Sequence, residues 1–277
     1  MSATRTRALH WIATHSLLIA LCVIVLFPIG FVFLTSVMSP SQTLTASFWP
    51  NPWTWNNYIQ VFTKSPVWLW AGNSFIYAAG ATVFMLLSSV PAAYVLAKVR
   101  FRGSGLVFML FIVAMVLPPQ ITVVPVYLMW AKMGFTGSLL PLVLPNLLGD
   151  AFSIFLLRQF FLTIPNDYLE AARLDGCGDW RALFRVIVPM ARPGIAAAAL
   201  FVFVRAWNDY FGPLLYTSEN QSAWTLSFGL GTFKGTHGTD WGATMALTII
   251  ATLPIVIVFF LAQRTFVQGV TMTGVKG

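Results

Sequence analysis

The residues able to do chemistry are few and fall into two groups. Of the eight acidic residues in the 277-residue chain, Asp167, Glu170, Asp175 and Asp179 lie with five arginines in the polar stretch 158–192. Asp150, Arg205 and Asp209 stand instead inside apolar runs, the last two flanking Trp207 and Asn208. Neither group has the arrangement of an enzyme. His10, His15 and His237 are scattered, Cys22 and Cys177 are far apart, and no metal-ligand or disulfide spacing occurs. The chain also lacks a G-x-x-x-x-G-K-[ST] phosphate loop, so any ATP-driven process would need a separate ATPase.

A charge at the centre of a bilayer costs at least about 2.5 kcal/mol, so each of the three isolated ions needs a partner or a wet cavity. Arg205 and Asp209 are four residues apart and would share a helix face, about 17 to 23 Å along a helix that starts at Gly194. Two readings stay open. Arg205 neutralises Asp209 or Asp150 and pins helix packing, or Asp150, Arg205, Trp207, Asn208 and Asp209 face a pathway for a hydroxyl-rich solute. An ion-coupled secondary transporter would also use buried ionisable groups. Such proteins usually build their site from an internal repeat, and residues 1–138 and 139–277 show none.

The elements that must position these groups follow from composition. Hydrophobic residues make up 58% of the chain and charged residues only 9%, too few to build a water-soluble surface. Crossing a hydrocarbon core of about 30 Å takes about 20 residues of helix. Six apolar runs meet that length: 11–37, 74–97, 106–130, 139–157, 194–216 and 241–261. The first is too long for the core of a signal peptide and lacks a cleavage site. The expectation is an all-α, polytopic membrane protein of six transmembrane helices forming one domain over 1–277.

The net charge of +8 is explained by where the charges fall. With the N-terminus inside, 12 of the 16 basic residues lie in cytoplasmic segments: Arg5, Arg7, Lys98, Arg100, Arg102, Arg158, Arg173, Arg181, Arg185, Arg192, Arg264 and Lys276. Only Lys64, Lys132 and Lys234 fall outside, and Arg205 lies within a span. That asymmetry places both termini in the cytoplasm and needs no nucleic acid to account for it. The outer segment 38–72 carries Phe48-Trp49-Pro50-Asn51-Pro52-Trp53, suited to a membrane interface or to an outer ledge for a partner protein.

The stretch 158–192 reads as two short helices on the cytoplasmic face. Pro165 and Asp167 open the first, with Glu170 placed as in a capping box, and Gly176 closes it. Asp179 is placed to cap the second, which would run until Pro189 stops it. Small Ala171 and Ala172 allow close approach of another backbone, while Glu170 and Asp175 offer charge to a basic partner.

Within this stretch Glu170-Ala171-Ala172, Gly176, Val186, Val188 and Pro189 resemble the loop signature EAA-x3-G-x9-I-x-L-P of binding-protein-dependent ABC transporter permeases. Every spacing is kept, with Val186 for Ile and Val188 for Leu. Further stretches resemble the carbohydrate-uptake, maltose-type branch: Ala92-Ala93-Tyr94-Val95-Leu96-Ala97-Lys98 with Phe101-Arg102-Gly103, Leu117-Pro118-Pro119-Gln120, Phe155-Leu156-Leu157-Arg158-Gln159-Phe160-Phe161, Ala206-Trp207-Asn208-Asp209-Tyr210 and the C-terminal Thr273-Gly274-Val275-Lys276-Gly277.

The resemblance implies a type I ABC importer permease fold in a prokaryotic cytoplasmic membrane. It implies that Asp167, Glu170, Ala171, Ala172, Asp175, Gly176 and Pro189 belong to a coupling loop that docks on an ATPase. The implied partners are a second homologous permease subunit, two ATPase subunits that bind ATP and Mg, and an external solute-binding protein. The chain itself would hold no cofactor, and the implied cargo is a carbohydrate or related polyol.

Overall fold

The computed structural model describes residues 3–274 except 44, 46, 236 and 237, with side chains omitted at 3–9, 119, 234, 235, 238 and 264–274. His237, residues 275–277 and the side chains of Arg5, Arg7, Lys234 and Arg264 therefore lie outside the described residues. The fold is helical; the described strands are two-residue segments, β1 (Lys234–Gly235) and β2 (Gly238–Thr239), paired antiparallel.

Contacts divide the chain into two units, 1–67 with 230–252, and 68–229 with 253–277. The first holds helix α1 (Ala3–Ser36), α2 (Asn56–Lys64) and, beyond the second unit, the start of a long last helix. From His10 to Gly30 the α1 residues are exposed on every side, although most are apolar, the pattern of a helix whose solvent is lipid. Its C-terminal carbonyls are satisfied by Asn57 of α2, whose Nδ2 donates to the carbonyls of Ser36 and Met38, each at 2.8 Å.

The second unit is arranged around α3 (Val67–Lys98), an unbroken helix of 32 residues. Ser74, Ala78, Ala81, Met85, Ser89, Ala93 and Leu96 recur every three or four residues and are buried, forming one stripe. Ile76, Val83, Leu87 and Val95 point outward. The polar side of this helix thus faces protein and its branched apolar side faces away. In chain order there follow α4 (Ser104–Val116), α5 (Val123–Lys132), α6 (Leu140–Val143), α7 (Ala151–Leu162), α8 (Asp167–Leu174), α9 (Asp179–Ala182), α10 (Val188–Met190), α11 (Arg192–Trp207), α12 (Phe211–Thr217), α13 (Leu226–Gly231) and the last helix, α14 (Trp241–Gly274), which starts in the first unit.

Among the described residues, α1, α3, Leu140–Leu162 and α14 are each long and apolar enough to cross a membrane. The expected span 106–130 is two short apolar helices, α4 and α5. Pro118 and Pro119 between them have no N–H to continue the ladder. The expected span 194–216 is likewise divided, because α11 ends at Trp207 and α12 starts at Phe211. Leu140–Leu162 pauses at Gly149–Asp150, where Gly149 takes a φ of +99°. Six membrane crossings are consistent with this arrangement, but only some are continuous helices.

Close approach of helices depends on small residues. A Cβ on Gly194 of α11 would lie 2.5 to 2.9 Å from the Phe160 ring of α7. At Gly72, by contrast, it would meet nothing within 4 Å. Gly194→Ile is therefore expected to cost about 1 to 3 kcal/mol through overpacking. Gly72→Ala should be neutral or stabilising by up to about 1 kcal/mol. The thermal midpoint of each variant in detergent, measured against the parent, checks the contrast; equal midpoints would contradict the packing described.

Candidate functional site

The polar stretch 158–192 begins at the end of α7, where Arg158 lies 3.9 Å over the Phe108 ring and its Nε donates to the Leu96 carbonyl of α3. Helix α8 then presents Asp167, Tyr168, Glu170, Ala171 and Leu174 to solvent, and Leu174 is 89% exposed. Leu169 and Ala172 point inward and are buried. Of the two alanines expected to permit close approach, Ala171 is on the outer face and Ala172 packs inside the loop.

The capping scheme read from the sequence is corrected at three points. Asn166, not Asp167, precedes the helix, and no capping-box bond forms. The Asn166 carboxamide is instead taken by Lys98, whose Nζ donates to its Oδ1 at 2.8 Å and also to the Ile164 carbonyl. Asp179 is the first residue of α9 and makes no side-chain cap. It pairs with Arg173 at 3.1 Å, across the turn. Pro189 does not stop the second helix, because a wider π turn over Leu183–Ile187 lets the chain run on to Met190. The following helix leaves at 82° to it.

The turn itself matches expectation. Gly176 has a φ of +77°, its N–H donates to the Arg173 carbonyl at 3.0 Å, and the Cys177 N–H reaches the Ala172 carbonyl at 2.9 Å. This paired arrangement is a Schellman motif, which fixes the end of α8 and needs a residue free to adopt positive φ. Asp175 sits exposed at that negative helix end, where a carboxylate is disfavoured by the helix dipole. The Glu170 carboxylate has no hydrogen-bond or ion-pair partner among the described residues.

The three ions in the apolar region are not arranged as the i, i+4 spacing suggested. Because α11 ends at Trp207, with Asn208 as its C-cap, Asp209 is not on a continuous helix with Arg205. Arg205 pairs with Asp150 at 3.1 Å; its side chain is 56% exposed against 15% for Asp150. Asp150 is also the N-cap of α7, accepting from the Ser153 N–H at 2.9 Å and from the Ser153 hydroxyl. Its own N–H donates to Ser89 Oγ of α3 at 3.2 Å.

Asp209 stands in the gap before α12, accepting from the Gly212 N–H at 3.1 Å and from the Tyr77 hydroxyl of α3 at 2.8 Å. Each carboxylate thus serves the N-terminus of a helix that restarts after a break. Trp207 is buried and stacks on Phe203, whereas Asn208 is exposed and its Nδ2 donates to the Val204 carbonyl.

Tyr77, Ser89, Asn166 and the clamp made by Lys98 were not singled out from the sequence. The available signal was polar Asn73, Ser74, Tyr77, Ser88 and Ser89 spaced along one side of an uncharged run.

Losing Asp150 removes both an ion pair and a cap, whereas losing Arg205 removes only the pair. Asp150→Ala should therefore lower the thermal midpoint further than Arg205→Met, by the equivalent of about 1 kcal/mol for the cap. The reverse order in a thermal melt of the purified protein would contradict the geometry.

A family model described as binding-protein-dependent transport system inner membrane component matches residues 89–272, which include the loop 158–192. The diacetylchitobiose uptake system permease protein of Streptomyces coelicolor is 32% identical over 93% of this chain and 86% of its own length. An arabinooligosaccharides transport system permease protein of Halalkalibacterium halodurans is 30% identical over 92% of each chain. The sn-glycerol-3-phosphate transport system permease protein of Yersinia pestis is 33% identical over 92% of this chain and 94% of its own. In fold, a chain of a bacterial ABC transporter that imports the acidic polysaccharide alginate superposes with a TM-score of 0.81, covering 96% of this chain and 99% of that one at 23% identity. The broken spans, the polar loop 158–192 and these likenesses agree: the chain belongs to the inner-membrane permease components of binding-protein-dependent ABC transport systems.

Proposed function

We propose that this chain pairs with a second, homologous permease subunit to form the path by which a carbohydrate or related polyol enters the cell. The solute is delivered by an external binding protein. Two separate ATPase subunits, which bind ATP and Mg, drive the cycle through the loop 158–192, and both termini of the single permease domain are cytoplasmic. Asp167, Glu170, Ala171, Ala172, Asp175, Gly176 and Pro189 form the coupling surface and its frame. Asp150, Arg205, Trp207, Asn208 and Asp209 line or shape the path.

The observation that carries the coupling role is the exposed end of α8, held by the Schellman turn at Gly176. It presents Glu170, Leu174 and Asp175, and no bond among the described residues accounts for either carboxylate. A backbone locked in place beneath unpaired charge and an exposed leucine suits a docking surface better than a connecting loop. The carbohydrate class is supported by the relatives' cargoes and by the half-exposed Arg205 and exposed Asn208. Polar groups at that depth cannot face lipid cheaply, so they need a wet path or a partner subunit. Ion-coupled transport is not favoured, because Asp150 is committed to the cap of α7 and Asp209 to the Gly212 N–H and the Tyr77 hydroxyl.

The test begins with uptake of labelled diacetylchitobiose, an arabinooligosaccharide and sn-glycerol-3-phosphate in cells with and without the gene. The gene-dependent solute is then followed in Glu170→Ala and Gly176→Asp cells. Because Glu170 makes no capping bond, Glu170→Ala should leave membrane abundance unchanged while uptake per molecule falls at least about fivefold, the low end of coupling between sites. Gly176→Asp should be more severe, since it also strains the positive-φ turn. Wild-type uptake per molecule in both variants, with the ATPase still co-purifying, would overturn the coupling role.

A further inference from the structure

Helix α3 is held at both of its functional ends by side-chain bonds to segments far away in sequence. Toward its start, Tyr77 donates to Asp209 at the break between α11 and α12. At its last residue, Lys98 donates to the Ile164 carbonyl and to Asn166 Oδ1, the two groups from which α8 starts. Two residues earlier the Leu96 carbonyl accepts from Arg158. Between Tyr77 and Lys98 the helix is unbroken, and 21 residues of helix span about 32 Å.

Lys98 occupies an unusual position for a surface lysine. It satisfies no carboxylate and is not paired with any of the acids of the loop. Instead it takes up the side chain of Asn166, the residue that precedes α8 and makes no local cap. A clamp that replaces a local cap by a bond to another helix does not add to the local stability of α8; it ties the position of α8 to that of α3. A polar cleft lined by Lys98, Arg100, Asn166, Glu170 and Arg173 borders the same junction, so the clamp lies beside the exposed Glu170.

We propose that Lys98 is a positioning residue that couples displacement of α8 to α3, and through Tyr77 to the break at 208–210. The inference rests on the reading of 158–192 as the ATPase-docking loop. Under this scheme force applied to α8 reaches the pathway along one helix. The covalent route through the bend between α10 and α11 is then not the only one.

The test uses the complete complex in nanodiscs, with Cys22 and Cys177 replaced by Ser and Phe211→Cys as reporter, because Phe211 is exposed and begins α12. The rate of labelling by a membrane-impermeant thiol reagent is measured without nucleotide and after trapping with ATP and vanadate. With Lys98 present, the two rates should differ at least about fivefold, as expected for coupled sites. In Lys98→Met the difference should shrink below about twofold while the ATPase remains bound, and Lys98→Arg should restore most of it.

A full nucleotide-dependent difference in Lys98→Met would overturn the proposal. Should that variant fail to assemble, Asn166→Ala decides, since it removes one acceptor of the clamp and leaves α3 intact. An undiminished difference in Asn166→Ala would also overturn it. If the unmodified chain does not retain the ATPase, the docking reading itself fails; retention with an unchanged Lys98→Met response sinks only the clamp.

Discussion

Inside a hydrocarbon layer no water is available to complete a broken helix, so every backbone N–H and C=O freed at a break must find its partner within the protein. This chain interrupts its helices repeatedly, at 117–122, at Gly149–Asp150 and at 208–210. The last two are served from α3. Ser89 accepts the Asp150 N–H, Ser88 donates to the Asn146 carbonyl, and Tyr77 orients the aspartate that caps α12. Farther out, Asn73 donates to the Ser222 and Trp224 carbonyls at 2.8 Å each, and Ser74 accepts the Leu226 N–H. A single continuous helix thus replaces water for several discontinuous ones.

The same constraint explains the charges. A carboxylate in the membrane is costly alone, but Asp150 and Asp209 each lie at the start of a helix, where unsatisfied N–H groups and the dipole favour negative charge. Arg205 pairs with Asp150 at 3.1 Å. One such bond leaves most of the N–H groups of its half-exposed guanidinium without a partner among the described residues.

What the sequence made legible follows from locality. The helical, apolar character of the runs and the positive-φ turn at Gly176 depend on neighbours within a few residues, and the structure has both, although 106–130 and 194–216 are each divided. Asp240, too, caps its own helix, accepting from the Ala243 N–H at 3.0 Å. The misreadings occur where a distant group competes with a local one. Asp167 and Glu170 had the spacing of a capping box, yet α8 begins after Asn166, whose side chain bonds Lys98, 68 residues away. Arg205 and Asp209 had helical spacing, yet the break at Asn208 separates them and hands each to a different partner. Neither outcome has a signature in residue spacing, because both depend on which helices lie side by side.

The claim on which this account most depends is that α3 holds the discontinuous helices in place. Hydrogen–deuterium exchange of the purified protein in nanodiscs, with and without Tyr77→Phe, tests it directly. The substitution leaves the ring in place and removes only the bond to Asp209. Exchange in peptides covering 209–217 should then accelerate about tenfold or more, the equivalent of the roughly 1.5 to 3 kcal/mol carried by a hydrogen bond to a charged group, while peptides from α4 and α7 stay unchanged. Unaltered exchange across 209–217 would contradict the account and leave α12 standing on its own cap alone.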